Sequence, residues 1–264
     1  MIKLIATDLD HTLLNKEGLV PEDTKELIRK AVEKGIFFAI STGRSLKSAQ
    51  GVAESIGVAY MAICYNGALV TDPVNGVSIF ENTIPEDVVK DVIAYAHEHD
   101  LYIQMYDEGD IVVEKLRLDR HPDPDLRYAD YREVGDLLEY PFFKSPKILL
   151  ACEPERVPRE MERLQELYGD RIYLAQSDAH LIEVMQKGID KGLALEHLAG
   201  YLGIKKDDII AFGDNTNDLP LLKAAGTSVA VANAVPVLKD WADYVAQGER
   251  SEGFNEGLTH FLSL

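Results

Sequence analysis

The sequence predicts a two-part α/β protein. One part is a parallel sheet with helices on both faces, and the other is an α+β insert built on an antiparallel sheet. Three observations predict this. Apolar runs too continuous for half-exposed strands alternate with amphipathic helices in the first third of the chain. In the middle that alternation gives way to hairpin signals. After Gly188 it returns, with no long linker and no internal repeat.

IKLIATD (2–8) reads as a buried strand. PEDTKELIRKAVEKG (21–35) reads as a helix, because Pro21 suits a first turn, Leu27, Ile28, Ala31 and Val32 form a stripe, and Gly35 ends it. IFFAIST (36–42) is a second buried strand, followed by a short helix (45–56) and the strand YMAICY (60–65). Residues 68–82 look like a hairpin with Asn75-Gly76 in its turn. Residues 85–100 then form an amphipathic helix, and 101–107 with 110–115 a hairpin around Glu108-Gly109. Residues 117–145 are polar, contain proline and match no element. A strand (147–153), a helix (154–169) and a hairpin (171–177, 180–186) complete the insert. The closing segment reads as helix 190–203, strand 208–214, helix 217–225, strand 228–232, helix 235–241, strand 243–246 and a terminal helix. The division that follows is a discontinuous domain, 1–82 and 188–264, with an insert at 83–187.

The 264 residues are 46% hydrophobic, enough for a packed core, yet no apolar run reaches the ~18 residues a membrane helix needs. MIKLIATDLD reaches charge too soon for a signal peptide. Cys64 and Cys152 sit in apolar runs and read as buried, reduced thiols. These features point to the cytoplasm. With 27 basic against 45 acidic residues the net charge is −18, a surface that repels nucleic-acid phosphates and anionic membranes. An anionic substrate would need a local divalent cation and placed bases.

Four stretches fall where strands should end: DLDHT (8–12), STGR (41–44), GIDKG (188–192) and GDNTND (213–218). In a parallel sheet such ends converge on one rim, so Asp8, Asp10, Thr42, Lys191, Asp214, Asn217 and Asp218 can share a site. In order and spacing, these motifs resemble the haloacid dehalogenase (HAD) superfamily of phosphohydrolases. Within it, the chain is similar to the Cof-type sugar-phosphate phosphatases, whose α/β cap is inserted after the third core strand. The resemblance covers nearly the whole chain and implies a Rossmann-like core. One departure is His11, where the family usually has Gly.

The resemblance implies the following site. Asp8 is the nucleophile, giving an acyl-phosphate that splits one hard step into two. Asp10, two residues on in an extended segment and so on the same side, protonates the leaving oxygen and then activates water. Mg²⁺ is the expected cofactor, held by Asp8, the Asp10 carbonyl and Asp214, a hard oxygen set. Asp218 holds a water of the ion or orients Lys191. Thr42 with the amides of Gly43 and Arg44, and also Asn217, bonds phosphate oxygens, while Lys191 adds a positive charge. Arg44 fits a structural ion pair as well as a ligand contact. Asn66, in YNGA, matches a family position that can touch substrate but also reads as a turn residue. His97, His99, His121 and His180 show no metal spacing and read as surface residues, and the acidic stretch at 123–139 as a solvated face.

The expected partner is a small phosphorylated metabolite, not nucleic acid or membrane, on a monomer or weak homodimer. Two other functions compete. A phosphomannomutase-like mutase would need bases in the insert for a second phosphate. Lys115, Arg117, Arg120, Arg127 and Arg132 are present, but among many acids. A non-catalytic phosphometabolite sensor would have lost a catalytic position, and none is missing.

Overall fold

A computed structural model describes residues 1–107, 110–117, 131–141 and 144–262. Glu108, Gly109, Arg120, His121 and Arg127, with residues 123–130 of the acidic stretch, lie outside the described residues. The chain forms two compact units: Met1–Glu81 with Asp190–Leu264, and Asn82–Ile189.

The first unit begins with β1 (Leu4–Asp8), α1 (Glu22–Glu33), β2 (Phe37–Ser41), α2 (Leu46–Glu54), β3 (Met61–Cys64), β4 (Leu69–Asp72) and β5 (Val77–Glu81). The second unit runs α3 (Glu86–Glu98), β6 (Tyr102–Asp107), β7 (Asp110–Val113), β8 (Tyr131–Glu133), β9 (Ile148–Ala151), α4 (Val157–Tyr168), β10 (Ile172–Asp178) and β11 (Leu181–Gln186). The chain then returns through α5 (Lys191–Leu202), β12 (Ile209–Gly213), α6 (Leu219–Ala224), β13 (Thr227–Ala230), α7 (Pro236–Trp241), β14 (Tyr244–Val245) and α8 (Arg250–Phe261).

In the first unit the strand order is β14-β13-β12-β1-β2-β3-β4-β5. All pairs from β14 to β3 are parallel, and the β4–β5 hairpin adds an antiparallel edge. Alternate residues of each strand serve opposite faces. Leu4, Ala6, Ala39, Ile63 and Ala211 join Leu195 and Leu198 of α5 and Leu221 of α6 in one apolar cluster. On the other face the Phe212 ring lies 4.6 Å from that of Phe254 in α8. Helices therefore cover both faces, as the continuous apolar strands require. Strand order reverses at β1, which lies between β2 and β12, and a crevice outside the strand ends is expected at such a reversal.

The second unit has the order β10-β11-β9-β6-β7-β8. It is an α+β unit. Val88 and Val92 of α3 and Leu164 of α4 pack on Ile103, Leu150 and Ile182 of the sheet. The expected antiparallel sheet holds with one correction: β8 pairs with β7 in parallel. That strand lies in the stretch 117–145 that had matched no element. It has only three residues, none buried, so no apolar alternation marks it. A second correction concerns Cys152. Cys64 is buried, but Cys152, one residue past β9, is only partly so. His97 is exposed as expected, though it is not isolated. It bonds Glu114 at 2.7 Å, with Asp136 nearby. Among the described residues no helix is long and apolar enough to cross a membrane.

Candidate active site

The candidate residues of all four strand-end motifs, from Asp8 to Asp218, lie in the first unit, which the chain re-enters at Asp190 within GIDKG. The β1 ladder stops at Asp8, directly opposite Ser41 at the end of β2. Residues Leu9–Leu13 then close a tight turn in which Asp10 keeps extended backbone (φ −74°, ψ 126°) while Leu9 is buried. His11 is left-handed, with φ +65°. This explains the usual glycine there: without a Cβ the conformation carries no penalty, whereas another residue bears about 1–2 kcal/mol. The His11 side chain is exposed, and its carbonyl accepts a bond from Asn233 Nδ2 at 2.9 Å.

Lys191 is the first residue of α5. Asp190 caps that helix, its Oδ1 accepting the amides of Gly192 (2.9 Å) and Leu193 (2.8 Å). A cation at a helix N-terminus opposes the helix dipole. Lys191 is nonetheless fully buried, because Nζ donates to Asp8 Oδ1 at 2.7 Å and to Asp218 Oδ1 at 2.6 Å. Asp218 is fixed from behind. Its Oδ2 accepts the amides of Asp214 (3.0 Å) and Asn215 (3.1 Å) in a capping box at the turn after β12. Asp214 Oδ1 accepts the Thr12 hydroxyl at 3.1 Å.

Asp10 belongs to a different pair. Arg44 grips it with two bonds, Nε to Oδ2 at 2.9 Å and Nη2 to Oδ1 at 2.5 Å. This fork is the planar arrangement that arginine makes and lysine cannot. Of the two roles open to Arg44, the structure places it in the ion pair. Thr42 is buried, and its Oγ1 accepts the Arg44 amide at 3.1 Å across the partly buried Gly43. Asn217 Nδ2 donates to Asn66 Oδ1 at 3.1 Å, so these two candidates also meet. Sequence reasoning overlooked Thr12 and Asn233. Thr12 had a signal, as the threonine of DLDHT, whereas nothing local marks Asn233.

The electrostatics of the cluster are uneven. Burial pushes Asp8 well above the usual carboxylate range; Lys191 opposes this, while Asp218, Asp214 and Asp10 add to it. Burial and the Asp218 carboxylate carry Asp214 up to about 7. On Lys191, burial works against the charge, but Asp218 and Asp8 outweigh it and hold the ammonium charged.

Oxygens of Asp8, Asp214 and Asp218 lie within 4.8 Å of one another, and one ammonium bridges two of these three carboxylates. The all-oxygen donor set and the surplus negative charge fit a hard divalent cation. Both Asp218 oxygens are already engaged, whereas Asp8 Oδ2 and Asp214 Oδ2 accept no hydrogen bond among the described residues. Asp218 is therefore suited to holding Lys191, and Asp8 and Asp214 to meeting an ion.

The strand ends of this parallel sheet thus gather carboxylates, a lysine and hydroxyls, a set that suits an anionic group together with a hard cation. The sequence pattern of the haloacid dehalogenase-like hydrolases matches residues 5–258, and the chain belongs to that family. It is 30% identical to the HMP-PP phosphatase of Serratia proteamaculans over 90% of this chain and 87% of the relative. It is 28% identical to the 5-amino-6-(5-phospho-D-ribitylamino)uracil phosphatase YitU of Bacillus subtilis, over 99% of this chain and 98% of that one. Among solved structures it resembles TM0651 of Thermotoga maritima (TM-score 0.85, 31% identity, 98% and 97% of the two chains). A haloacid dehalogenase-like hydrolase of Bacteroides thetaiotaomicron is also similar (TM-score 0.87, 28% identity, 99% and 100%). The protein is a phosphoric monoester hydrolase.

Proposed function

We propose that the protein is a Mg²⁺-dependent phosphatase of small phosphorylated metabolites, sugar phosphates foremost, acting through an aspartyl-phosphate on Asp8. The observation that carries this reading is the buried Asp8–Lys191–Asp218 chain beside Asp214. A carboxylate attacking a phosphate dianion needs fixed positive charge at the point of attack. Lys191, held by Asp218, supplies it.

The steps follow from the neighbours of each residue. Asp8, with Lys191 against its Oδ1, attacks phosphorus as the carboxylate, and the Lys191 charge opposes the burial that raises this group. Asp10, aimed by Arg44, gives a proton to the departing sugar oxygen and later takes one from the water that cleaves the acyl-phosphate. Thr42, the amides of Gly43 and Arg44, and Asn217 hold phosphoryl oxygens. Asp8, Asp214 and the Asp10 carbonyl would hold Mg²⁺, which when bound neutralises phosphoryl charge. The insert, 83–187, serves as the cap that selects substrate. The name of the Bacillus subtilis relative carries a phosphoribityl group, which supports a phosphorylated sugar or polyol as substrate class. The enzyme works in the cytoplasm, on free metabolites, as a monomer or weak homodimer.

The mutase alternative is disfavoured by the bases it would need. Arg132 is taken by Asp107 at 2.7 Å, and Arg117 lies 3.8 Å from Asp100. The test separates the two carboxylates. Asp8→Asn should lose turnover on every substrate. Asp10→Asn should lose about 10²–10⁴-fold more in acyl-phosphate formation on a sugar phosphate than on nitrophenyl phosphate, whose leaving group hardly needs a proton. The phosphoenzyme should then accumulate in intact-mass spectra. Identical behaviour of the two variants on both substrates would refute the division of roles.

A further inference from the structure

The turn after β3 carries more backbone strain than a chain reversal needs. Tyr65 (φ +51°) and Asn66 (φ +53°) are consecutive left-handed residues, and Gly67 follows at φ +111°. Strain of this kind in non-glycine residues persists only where the surroundings over-determine it. Here they do. Tyr65 and Asn66 are buried, the Tyr65 amide donates to the Arg44 carbonyl (3.0 Å), and the Asn66 amide donates to the Thr42 carbonyl (3.0 Å). Asn66 Oδ1 accepts the Asn217 side-chain amide at 3.1 Å. A side chain at position 67 would strike the Asp190 carbonyl, one residue before Lys191. A three-residue turn therefore touches the STGR, GIDKG and GDNTND segments at once.

We propose that Tyr65–Asn66–Gly67 is a positioning element of the phosphoryl site. Asn66 fixes which way the Asn217 amide faces, and the bare Gly67 lets the Lys191 helix start close enough to reach Asp8. This rests on the phosphatase reading above. The chemistry turns on one ambiguity. A side-chain amide has an acceptor end and a donor end, and only the donor end suits a phosphate dianion. The Asn66 oxygen accepts one N–H of Asn217, which keeps the nitrogen on that side and leaves its second N–H for a phosphoryl oxygen. Without Asn66 the amide can rotate and present its oxygen to the anion. Asn66 acts through Asn217, and it is a positioning residue rather than a catalytic one.

The decisive variant is Asn66→Gly, which accepts the left-handed backbone without strain but has no oxygen for Asn217. Relief of the left-handed strain offsets part of the lost buried bond, so its melting temperature should stay within a few degrees of the wild type. Its kcat/KM on nitrophenyl phosphate with Mg²⁺ should fall about tenfold to hundredfold, the cost of a misplaced contact at a phosphoryl site. Asn217→Ala should lose a similar factor, and the double variant no more than the larger single, because both remove one contact. Gly67→Ala should lose at least as much by displacing Lys191. If Asn66→Gly keeps wild-type kcat/KM, or if the double variant shows the product of the single losses, the inference is overturned while the phosphatase reading stands. A wild-type protein that turns over no phosphomonoester would overturn the phosphatase reading and this inference with it.

Discussion

Removing the ammonium of Lys191 while keeping its length, as in Lys191→Met, isolates what the buried cation does. In the native protein Nζ lies 2.7 Å from Asp8 and 2.6 Å from Asp218, and the side chain has no solvent contact. The variant leaves Asp8, Asp214 and Asp218 within 4.8 Å of one another without that compensation. Breaking a buried ion pair by deleting one partner costs about 3–5 kcal/mol. At about 2–4 °C per kcal/mol for a domain of this size, the melting temperature should drop by about 6–20 °C. The loss must also depend on pH. Lys191 pulls Asp8 and Asp214 down, so its removal raises both further in the folded state. A carboxyl raised on folding binds more protons in the native than in the unfolded chain, and stability then falls as pH rises. The gap between variant and wild type should be smallest near pH 5 and widen towards pH 8. Added Mg²⁺ should narrow it by supplying charge to the same oxygens. Calorimetry at both pH values, with and without Mg²⁺, measures all three effects. A drop below about 1 kcal/mol, or one equal at both pH values, would refute the view that this ammonium compensates the carboxylates.

Three further outcomes are expected. Arg44→Lys keeps the charge but loses the fork on Asp10, so kcat on a sugar phosphate should fall more than kcat on nitrophenyl phosphate; equal losses in the two assays would detach Arg44 from proton transfer. Asp214 sits at about 7 and Asp8 is raised as well, and both must ionise to meet a cation, so apparent Mg²⁺ affinity by titration calorimetry should rise with pH through this range, by up to about tenfold per pH unit for each carboxyl. A flat profile between pH 5.5 and 7 would contradict this. His11→Gly removes left-handed strain but adds unfolded-state freedom, so denaturant unfolding should show a change between neutral and about 1 kcal/mol more stable, and a large loss would mean the imidazole makes a contact that matters.

The elements of both units were legible because their strands are apolar runs and their helices carry stripes and breakers. That the strand-end motifs converge was legible as well, since strand ends of a parallel sheet lie along one rim. Its pairings were not. That Arg44 holds Asp10 follows from β1 and β2 lying side by side with Asp8 opposite Ser41, and the sequence does not state register. Asn66 and Asn217 meet across 151 positions of chain, and Thr12 reaches Asp214 across 202. Such contacts exist only once the sheet is assembled. β8 escaped for another reason: three partly or fully exposed residues have no hydrophobic period to read.

The two aspartates of DLDHT show how one turn can give the same side chain two environments. Asp8 is the last residue of a buried central strand, so its carboxylate is tolerated only with a cation against it, and Lys191 provides one. Asp10 lies beyond the ladder, and its side chain is 43% exposed. There water can reach it, which suits the proton-transfer role proposed for it, whereas Asp8 keeps little contact with solvent. Arg44 restricts its direction without closing it off. The ion partners follow the same division: the buried carboxylate has a point charge fixed by Asp218, while the exposed one has a flat fork that sets its orientation. Exchanging the partners would fail on both sides. A guanidinium needs more room than the Lys191 ammonium occupies between Asp8 and Asp218, and an ammonium on Asp10 would leave the carboxylate free to turn about a single contact.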